Sequence, residues 1–323
     1  MNRVLAAATF GCAGLLALSP DAWAHVVAGA RVFPVTLTFD DPGVGDEISA
    51  PAFTFSRSGA DGGTGPSHEF DYGFEFDKTI TENTALILND GYDVIQTNGS
   101  KTEAGFENLF ITGKWQAITN ADHELVVSLG ITRELGGSGT VHIGADHYGS
   151  TTPNFYFGKG FGDLPGSVLK PFAVTGELSY TIADKGLKVS TPVNPNADAA
   201  SSAGVVSQFN TGNNNAWSGS LSLQYSIPYL QTQVHDYKLP GFLANMIPVV
   251  ELDWTSPASS PSTQGTTWTV APGVIYLAGW GELGVEALIP VNKAAGTNVG
   301  AVALVHVFLD DLLPHSLGKP IFD

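Results

Sequence analysis

The chain has 323 residues; 43% are hydrophobic, 14% are charged, 38 are glycines, and the formal net charge is −17. That charge argues against nucleic acid as a partner, because polyanions attract basic surfaces. Charged residues fall below the roughly 25% of soluble domains, and past the N-terminus no segment approaches the roughly 20 apolar residues of a membrane helix. Any membrane crossing must therefore be made by a closed sheet.

The chain opens Met1-Asn2-Arg3, runs apolar from Val4 to Leu18, and reaches Ala22-Trp23-Ala24. A short positive start, an apolar run and an A-x-A site read as a secretory signal peptide over residues 1–24. The mature chain then begins at His25. The single cysteine, Cys12, lies inside this leader, and Thr9-Phe10-Gly11 before it is a poor lipobox. Export without disulfides fits a bacterial envelope protein better than a small secreted scaffold.

Residues 25–48 are expected to form a separate N-terminal segment. Val35, Leu37 and Phe39 alternate, but Pro34, Pro42 and two glycines interrupt. The reading is a short strand, or a segment at the periplasmic rim or inside a lumen. A first strand follows at Ala50–Arg57 and a Gly-rich loop at Ser58–Pro66. His68–Lys78 is the clearest strand: Phe70, Tyr72, Phe74 and Phe76 take one face, and Glu69, Asp71, Gly73, Glu75 and Asp77 the other. Strand side chains alternate faces with a period of two. Further strands are expected at Thr84–Gln96, Ala104–Ile118, Glu124–Leu135, Pro153–Phe161 and around Phe172–Ile182. The polar stretch Ala183–Asn215 reads as a long loop. Trp217–Ile227 sets Leu221, Leu223 and Tyr225 against a face of serines. Tyr229–Met246 is irregular, with a helical turn at Leu239–Ala244. Val249–Trp254 and Thr266–Ala278 lead into a closing hairpin over Gly281–Asp311, whose two strands carry Glu282, Glu286, His306 and Asp310 on one face.

The sum is an all-β fold, an antiparallel transmembrane β-barrel of about 12 strands over residues 49–310, followed by a tail over 311–323. The connections sort by length. Thr79–Asn83, Thr119–Asp122 and Gly279–Gly281 are short; Ser58–Pro66, Gly136–Ser150, Ala183–Asn215 and Ser256–Gly265 are long. Short turns on one rim and long loops on the other are the topology of outer-membrane barrels. Tyr229–Met246 is the exception, long on the short-turn side. A large secreted β-sandwich shares the composition, but has no reason to sort its loops.

Several pieces carry a resemblance to a known family. They are Phe70-Asp71-Tyr72-Gly73-Phe74-Glu75 with Thr79–Tyr92 after it, and Gly105–Glu134 ending in Thr132-Arg133-Glu134-Leu135. To these add Leu283–Asn292 with Ile289-Pro290-Val291-Asn292, and the last strand ending Val307-Phe308-Leu309-Asp310. Over most of residues 68–310 the chain resembles the outer-membrane transporters grouped as the phenol-degradation meta-pathway family. The resemblance implies a channel for small solutes, with aromatic or hydrophobic compounds as the class, and supplies no catalytic motif. The chain departs from common barrels in ending Lys319-Pro320-Ile321-Phe322-Asp323, about a dozen residues past the last strand.

No hydrolase, zincin, P-loop or dinucleotide fingerprint is present, so neither an enzyme nor a cofactor is expected. The lumen-lining candidates are Asp71, Glu75, Glu107, Lys114, Glu124, Glu177, Glu251, Glu282 and Glu286. So many acids inside low-dielectric walls would favour cations; the bland alternative is solvated or mutually bonded carboxylates. His25, as an N-terminal amine with its own imidazole, could chelate copper with His142 and His147 beside Asp146, or with His315. Trp115, Trp217, Trp254, Trp268, Tyr225, Tyr276 and Trp280 lie near strand ends, where interface girdles form. The expected protein is a Gram-negative outer-membrane channel whose partners are outer-membrane lipid and a small-molecule solute. Residues 25–48, the 183–215 loop or the C-terminal tail would block or gate it. The alternatives are a structural or adhesive envelope protein without transport, and a periplasmic metal-binding β-sandwich using His25.

Overall fold

A computed structural model of the chain describes residues 26–59, 65–184, 215–259 and 265–322. The expected leader, His25 and residues 185–214 of the long polar loop lie outside the described residues. A small hairpin of β1 (Val26–Ala28) and β2 (Arg31–Phe33) comes first. The strands that follow are β3 (Glu47–Ser58), β4 (Ser67–Thr81), β5 (Thr84–Thr97), β6 (Glu103–Phe106), β7 (Phe110–Asn120) and β8 (Leu125–Glu134). They continue with β9 (Ser150–Gly160), β10 (Phe172–Ala183), β11 (Ala216–Tyr225), β12 (Met246–Pro257), β13 (Thr267–Ala278), β14 (Gly281–Pro290) and β15 (Gly300–Phe308).

Every neighbouring pair from β3 to β15 is antiparallel, and β15 pairs back onto β3, with Val302 opposite Thr54. The ring is closed: a 12-strand antiparallel barrel, with β6 lying against β5 beyond the end of β7. Ala104–Ile118, expected as one strand, is broken at residues 107–109. Asn108 turns its amide toward the 135–149 loop, donating to Glu134 Oε1 at 2.8 Å and to the Asp146 carbonyl at 2.9 Å, and this draws the backbone off the ladder.

Period-two alternation fixes which side chains point inward. On β4, Asp71, Glu75 and Asp77 are buried inside while Tyr72 and Phe74 are exposed outside. On β11, Ser222 and Gln224 face in, and Leu221 and Leu223 face out. The outward side is an apolar band with aromatics toward both edges. Trp254 and Trp268 stand at the long-loop edge with ring centroids 5.9 Å apart, and Tyr180 lies 4.6 Å from Trp217. Trp115 and Trp280 are exposed toward the other edge.

One rim carries the short turns after β4, β7 and β13. As read from the sequence, residues 226–245 also lie on this rim and are long for it; they fold into helical turns at Ile227–Tyr229, Leu230–Val234 and Gly241–Ala244. The C-terminal tail was expected among the segments that block the lumen. Its described part instead follows the short-turn rim: the Ile321 and Phe322 amides donate to the carbonyls of Thr79 and Ile80 at 3.1 and 2.9 Å. These carbonyls lie past the point where β3 stops pairing with β4, so the tail covers an otherwise open strand edge.

The interior also departs from a uniformly wet, acid-lined lumen. Between its buried acids, an arc formed by β12 to β15 and β3 holds an apolar cluster, with Ala52, Ile247, Val249, Ala271, Ile275, Leu288, Val302 and Leu304 all buried. Val35 and Leu37 of the N-terminal segment pack into it. An apolar inner wall is stable here because it has an apolar partner inside the barrel.

Candidate functional site

The site is the lumen, and residues 34–46 occupy its short-turn half. Pro34, Pro42 and Gly43 keep this stretch from joining the sheet, since proline cannot donate to a ladder. At Gly43 a Cβ would lie 2.0 Å from Val26 Cγ2, so only glycine lets the segment fold back against its own hairpin. Phe33 and Pro42 sit over Gly158 on the inner wall.

The root of the segment is fixed by Arg31, whose side chain is fully buried. Its Nε donates to Glu124 Oε2 at 3.1 Å, Nη1 donates to the Pro171 carbonyl at 3.2 Å, and Nη2 donates to the Lys170 carbonyl. The guanidinium lies 3.8 Å from the centre of the Tyr229 ring. Glu124 also accepts from the Tyr229 hydroxyl at 2.7 Å and from the Gly162 amide at 2.9 Å. Burial, then the bond to Glu124, pushes the Tyr229 phenol up to about 12. The irregular 226–245 connection thus supplies an aromatic wall for the root of the segment.

The tip is held by carboxylates that accept backbone N–H groups. Glu282 accepts from Val35 N at 2.9 Å, and Glu251 from Leu37 N at 3.2 Å and Thr38 N at 2.9 Å. The Thr38 hydroxyl donates to Glu251 at 2.6 Å and lies 3.0 Å from Asp253 Oδ1. A backbone that belongs to no sheet needs such partners when buried, and charge-assisted bonds are the stronger kind. On the return path Lys114 Nζ donates to Asp40 Oδ2 at 2.8 Å and to the Asp41 carbonyl at 2.7 Å. Lower down, Val44 N donates to Gln116 at 3.0 Å, and Asp46 pairs with Lys78 and accepts from the Thr79 amide at 2.9 Å.

The nine acid and lysine candidates therefore separate into groups. Glu251, Glu282 and Lys114 grip the N-terminal segment. Glu124 sits at the short-turn rim and locks Arg31. Glu286 is buried and reaches Glu251. Glu177 accepts from Ser179 on β10. Asp71 and Glu75 point inward from β4, and Glu107 leans over Gly91 from the break between β6 and β7.

The copper candidates are not drawn together among the described residues. His142 and His147 are exposed, His142 Nε2 lies 3.1 Å from the Ala104 carbonyl, and among the described residues, which do not include His25, no group of three His, Cys, Asp or Glu side chains has the arrangement to hold a metal. Sequence reasoning missed Arg31, Thr38, Asp40, Asp41 and Asp93. Their partners or cross-strand neighbours are distant in the chain, so no local pattern marks them. The one available signal was two charges beside prolines in a stretch with strand-like alternation.

No family model matches the chain, and no curated protein sequence matches it. Solved structures do. An outer-membrane channel from Pseudomonas putida F1 is similar at TM-score 0.55 and 10% identity, covering 86% of this chain and 99% of that one. The fold is that of an outer-membrane β-barrel. The NanC porin is similar at TM-score 0.44 and 9% identity, covering 80% of this chain and 99% of its own. The translocator domain of the autotransporter NalP from Neisseria meningitidis is similar at 0.42 and 12%, covering 84% and 90%. At these identities the likeness is one of fold.

Proposed function

We propose that this protein is an outer-membrane channel for small solutes, held shut by its own N-terminal segment. The observation that carries the reading is residues 34–46 wedged in the lumen between Glu251 and Lys114. A 12-strand barrel is narrow enough for one strap of chain to seal it. The strap is gripped by hydrogen bonds and ion pairs rather than woven into the sheet, so it can leave without opening the barrel. Aromatic or hydrophobic solutes fit the apolar arc from Leu288 and Val302 down to Ile275, and this narrower class rests on the sequence resemblance as well. The outward band with its two aromatic edges supports contact with lipid. The acids left on β4 and β5 favour cations over anions during passage.

Liposome swelling tests the reading. Vesicles carrying the full mature chain should swell slowly in small solutes, and vesicles carrying a variant without residues 26–46 should swell fast. Equal, slow swelling by both would leave no role for the segment as a seal and would count against a channel.

A further inference from the structure

Two of the carboxyls beneath the tip of the strap touch each other. Glu286 on β14 stands directly opposite Gly273 on β13, and a Cβ on Gly273 would lie 2.4 Å from Glu286 Cγ. Glycine there lets the Glu286 side chain lie across β13. Ala271, the next inward residue of β13, stands opposite Glu251 on β12. Over this low stretch the Glu286 carboxyl reaches the Glu251 carboxyl and is hydrogen-bonded to it. Glu286 is only 2% exposed, and Glu251 is fully buried.

Ionised carboxylates accept hydrogen bonds and donate none, so this bond needs a proton. Neither Glu286 oxygen has a donor from another described residue. Two buried carboxylates in contact cannot both stay charged without a cation or a proton between them. The buried basic side chains among the described residues are committed elsewhere: Arg31 to Glu124, Lys114 to Asp40 and Asp41, and His306 to Glu47. The elements packed around Glu286 bring it no positive charge. On β12 are Glu251 and Asp253, the latter bonded to Ser220 and Thr38. Ala271 and Gly273 face it from β13, and Val302 stands opposite on β15. On its own strand Glu282 lies four residues away, opposite His306. The strap brings Leu37 and Thr38.

The donor count agrees. A carboxylate has room for about four donors. The docked strap gives Glu251 three: the Leu37 amide, the Thr38 amide and the Thr38 hydroxyl. A carboxylic acid at Glu286 gives the fourth. The strap also covers the pair. Leu37, fully buried, lies against Gly284, the inward residue between Glu282 and Glu286, where a Cβ would be 2.6 Å from Leu37 Cδ1. With Leu37 in place water is kept from Glu286; with the strap gone the carboxyl is wetted and ionises.

We propose that the seal is proton-coupled: residues 34–46 dock onto a protonated Glu286 that donates to ionised Glu251, and undocking releases that proton to water. This rests on the reading of residues 34–46 as a seal. The docked form binds one more proton than the undocked form. Docking is therefore firmest at low pH and is lost as the pH rises, by up to tenfold per pH unit for one proton.

The test is amide hydrogen exchange of residues 35–44 in the full mature chain, folded in detergent, from pH 5.5 to 8.5 and corrected for intrinsic rates. Protection should fall with rising pH, by up to tenfold per unit. Glu286→Gln replaces the O–H donor with an N–H donor that does not titrate, so its protection should stay level across the range, near the parent's value at pH 5.5. Leu37→Lys sets an ammonium beside Glu286 in place of the proton and should also remove the slope. Heat-modifiable gel mobility checks folding; Leu37 lies outside the barrel strands, so its variant decides the matter if Glu286→Gln fails to fold. A parent without a pH slope, or a slope unchanged in the deciding variant, overturns the proposal. Liposome swelling keeps the two readings apart. Faster swelling without residues 26–46, together with pH-independent protection in the parent, sinks this proposal alone. The expected slope and its loss in the variants, together with equal, slow swelling of both chains, sinks the channel alone.

Discussion

The two halves of the lumen are built on opposite principles. In the short-turn half each buried charge that touches the N-terminal segment has a partner: Arg31 with Glu124, Lys114 with Asp40, Asp46 with Lys78, and backbone amides with Glu251 and Glu282. In the long-loop half, Asp71 faces Asp93 across the strand pair and the Asp93 oxygen lacks a donor. Both halves are rich in acids, so acid content alone does not mark which carboxylates hold the N-terminal segment. The distinction lies in whether the chain supplies the donors itself. Where it does, the carboxylates are structural clamps.

Removing the seal is the sharpest way to break this contrast. Deleting residues 26–46 should leave the strand ring intact, since no barrel strand pairs with that segment. It should raise single-channel conductance in planar bilayers by roughly tenfold or more, because the strap fills a lumen narrow enough to be sealed by side chains. Conductance unchanged from the full chain would mean the seal lies elsewhere.

A smaller effect is expected from cutting the root. Arg31→Ala leaves Glu124 buried without its charge partner, which costs about 3–5 kcal/mol. The segment should then detach more often, seen as frequent opening events at modest voltage and as protease access to the 34–46 stretch. If the segment stays as protected as in the parent, the root is not what holds it.

At the tip, Thr38→Val removes a hydroxyl shared between Glu251 and Asp253 while keeping the backbone bonds. The expected loss is about 1–2 kcal/mol of docking, read as a proportionate rise in opening frequency. A loss as large as that of Arg31→Ala would put the main clamp at the tip instead.

The smallest effect concerns the tail, a third region that neither seals nor binds. Burial, then the nearby Glu47, raises the Asp310 carboxyl to about 7, above its unfolded value near 4. The folded form therefore binds the extra proton between those values. Tail docking should be firmest below about pH 4, weaken as the pH rises through 7, and be weakest above it. Hydrogen exchange at Ile321 and Phe322 should be slower at pH 5.5 than at pH 8 after correction for intrinsic rates, and Asp310→Asn should flatten that difference. A tail whose protection grows with pH would contradict the assignment.

Much of the barrel was legible residue by residue. Tyr72 and Phe74 out, Asp71 and Glu75 in, needs only the pleat, because neighbouring side chains on a strand cannot share a face. The poorer alternation of Thr84–Gln96 has a visible cause: Ala85 and Ile87 are inward yet apolar near the short-turn rim, while Asn89 and Asp93 are inward and polar further up. The segment carrying Val35, Leu37 and Phe39 was ambiguous for the same reason. Its alternation is that of a strand, and nothing local says that its partners are carboxylates on β12 and β14 rather than a neighbouring ladder.

The sequence by itself determined the strands, their two faces, the sorting of most connections by length and the antiparallel closed sheet, because all of these follow from short-range periodicity and from turn residues. Only the tertiary structure decided that one arc of the inner wall gathers an apolar cluster, that residues 34–46 occupy the short-turn half of the lumen, and that Asp71 stands opposite Asp93. Those facts depend on strands far apart in the chain being brought round to face a common interior, and a one-dimensional pattern carries no record of which residues meet there.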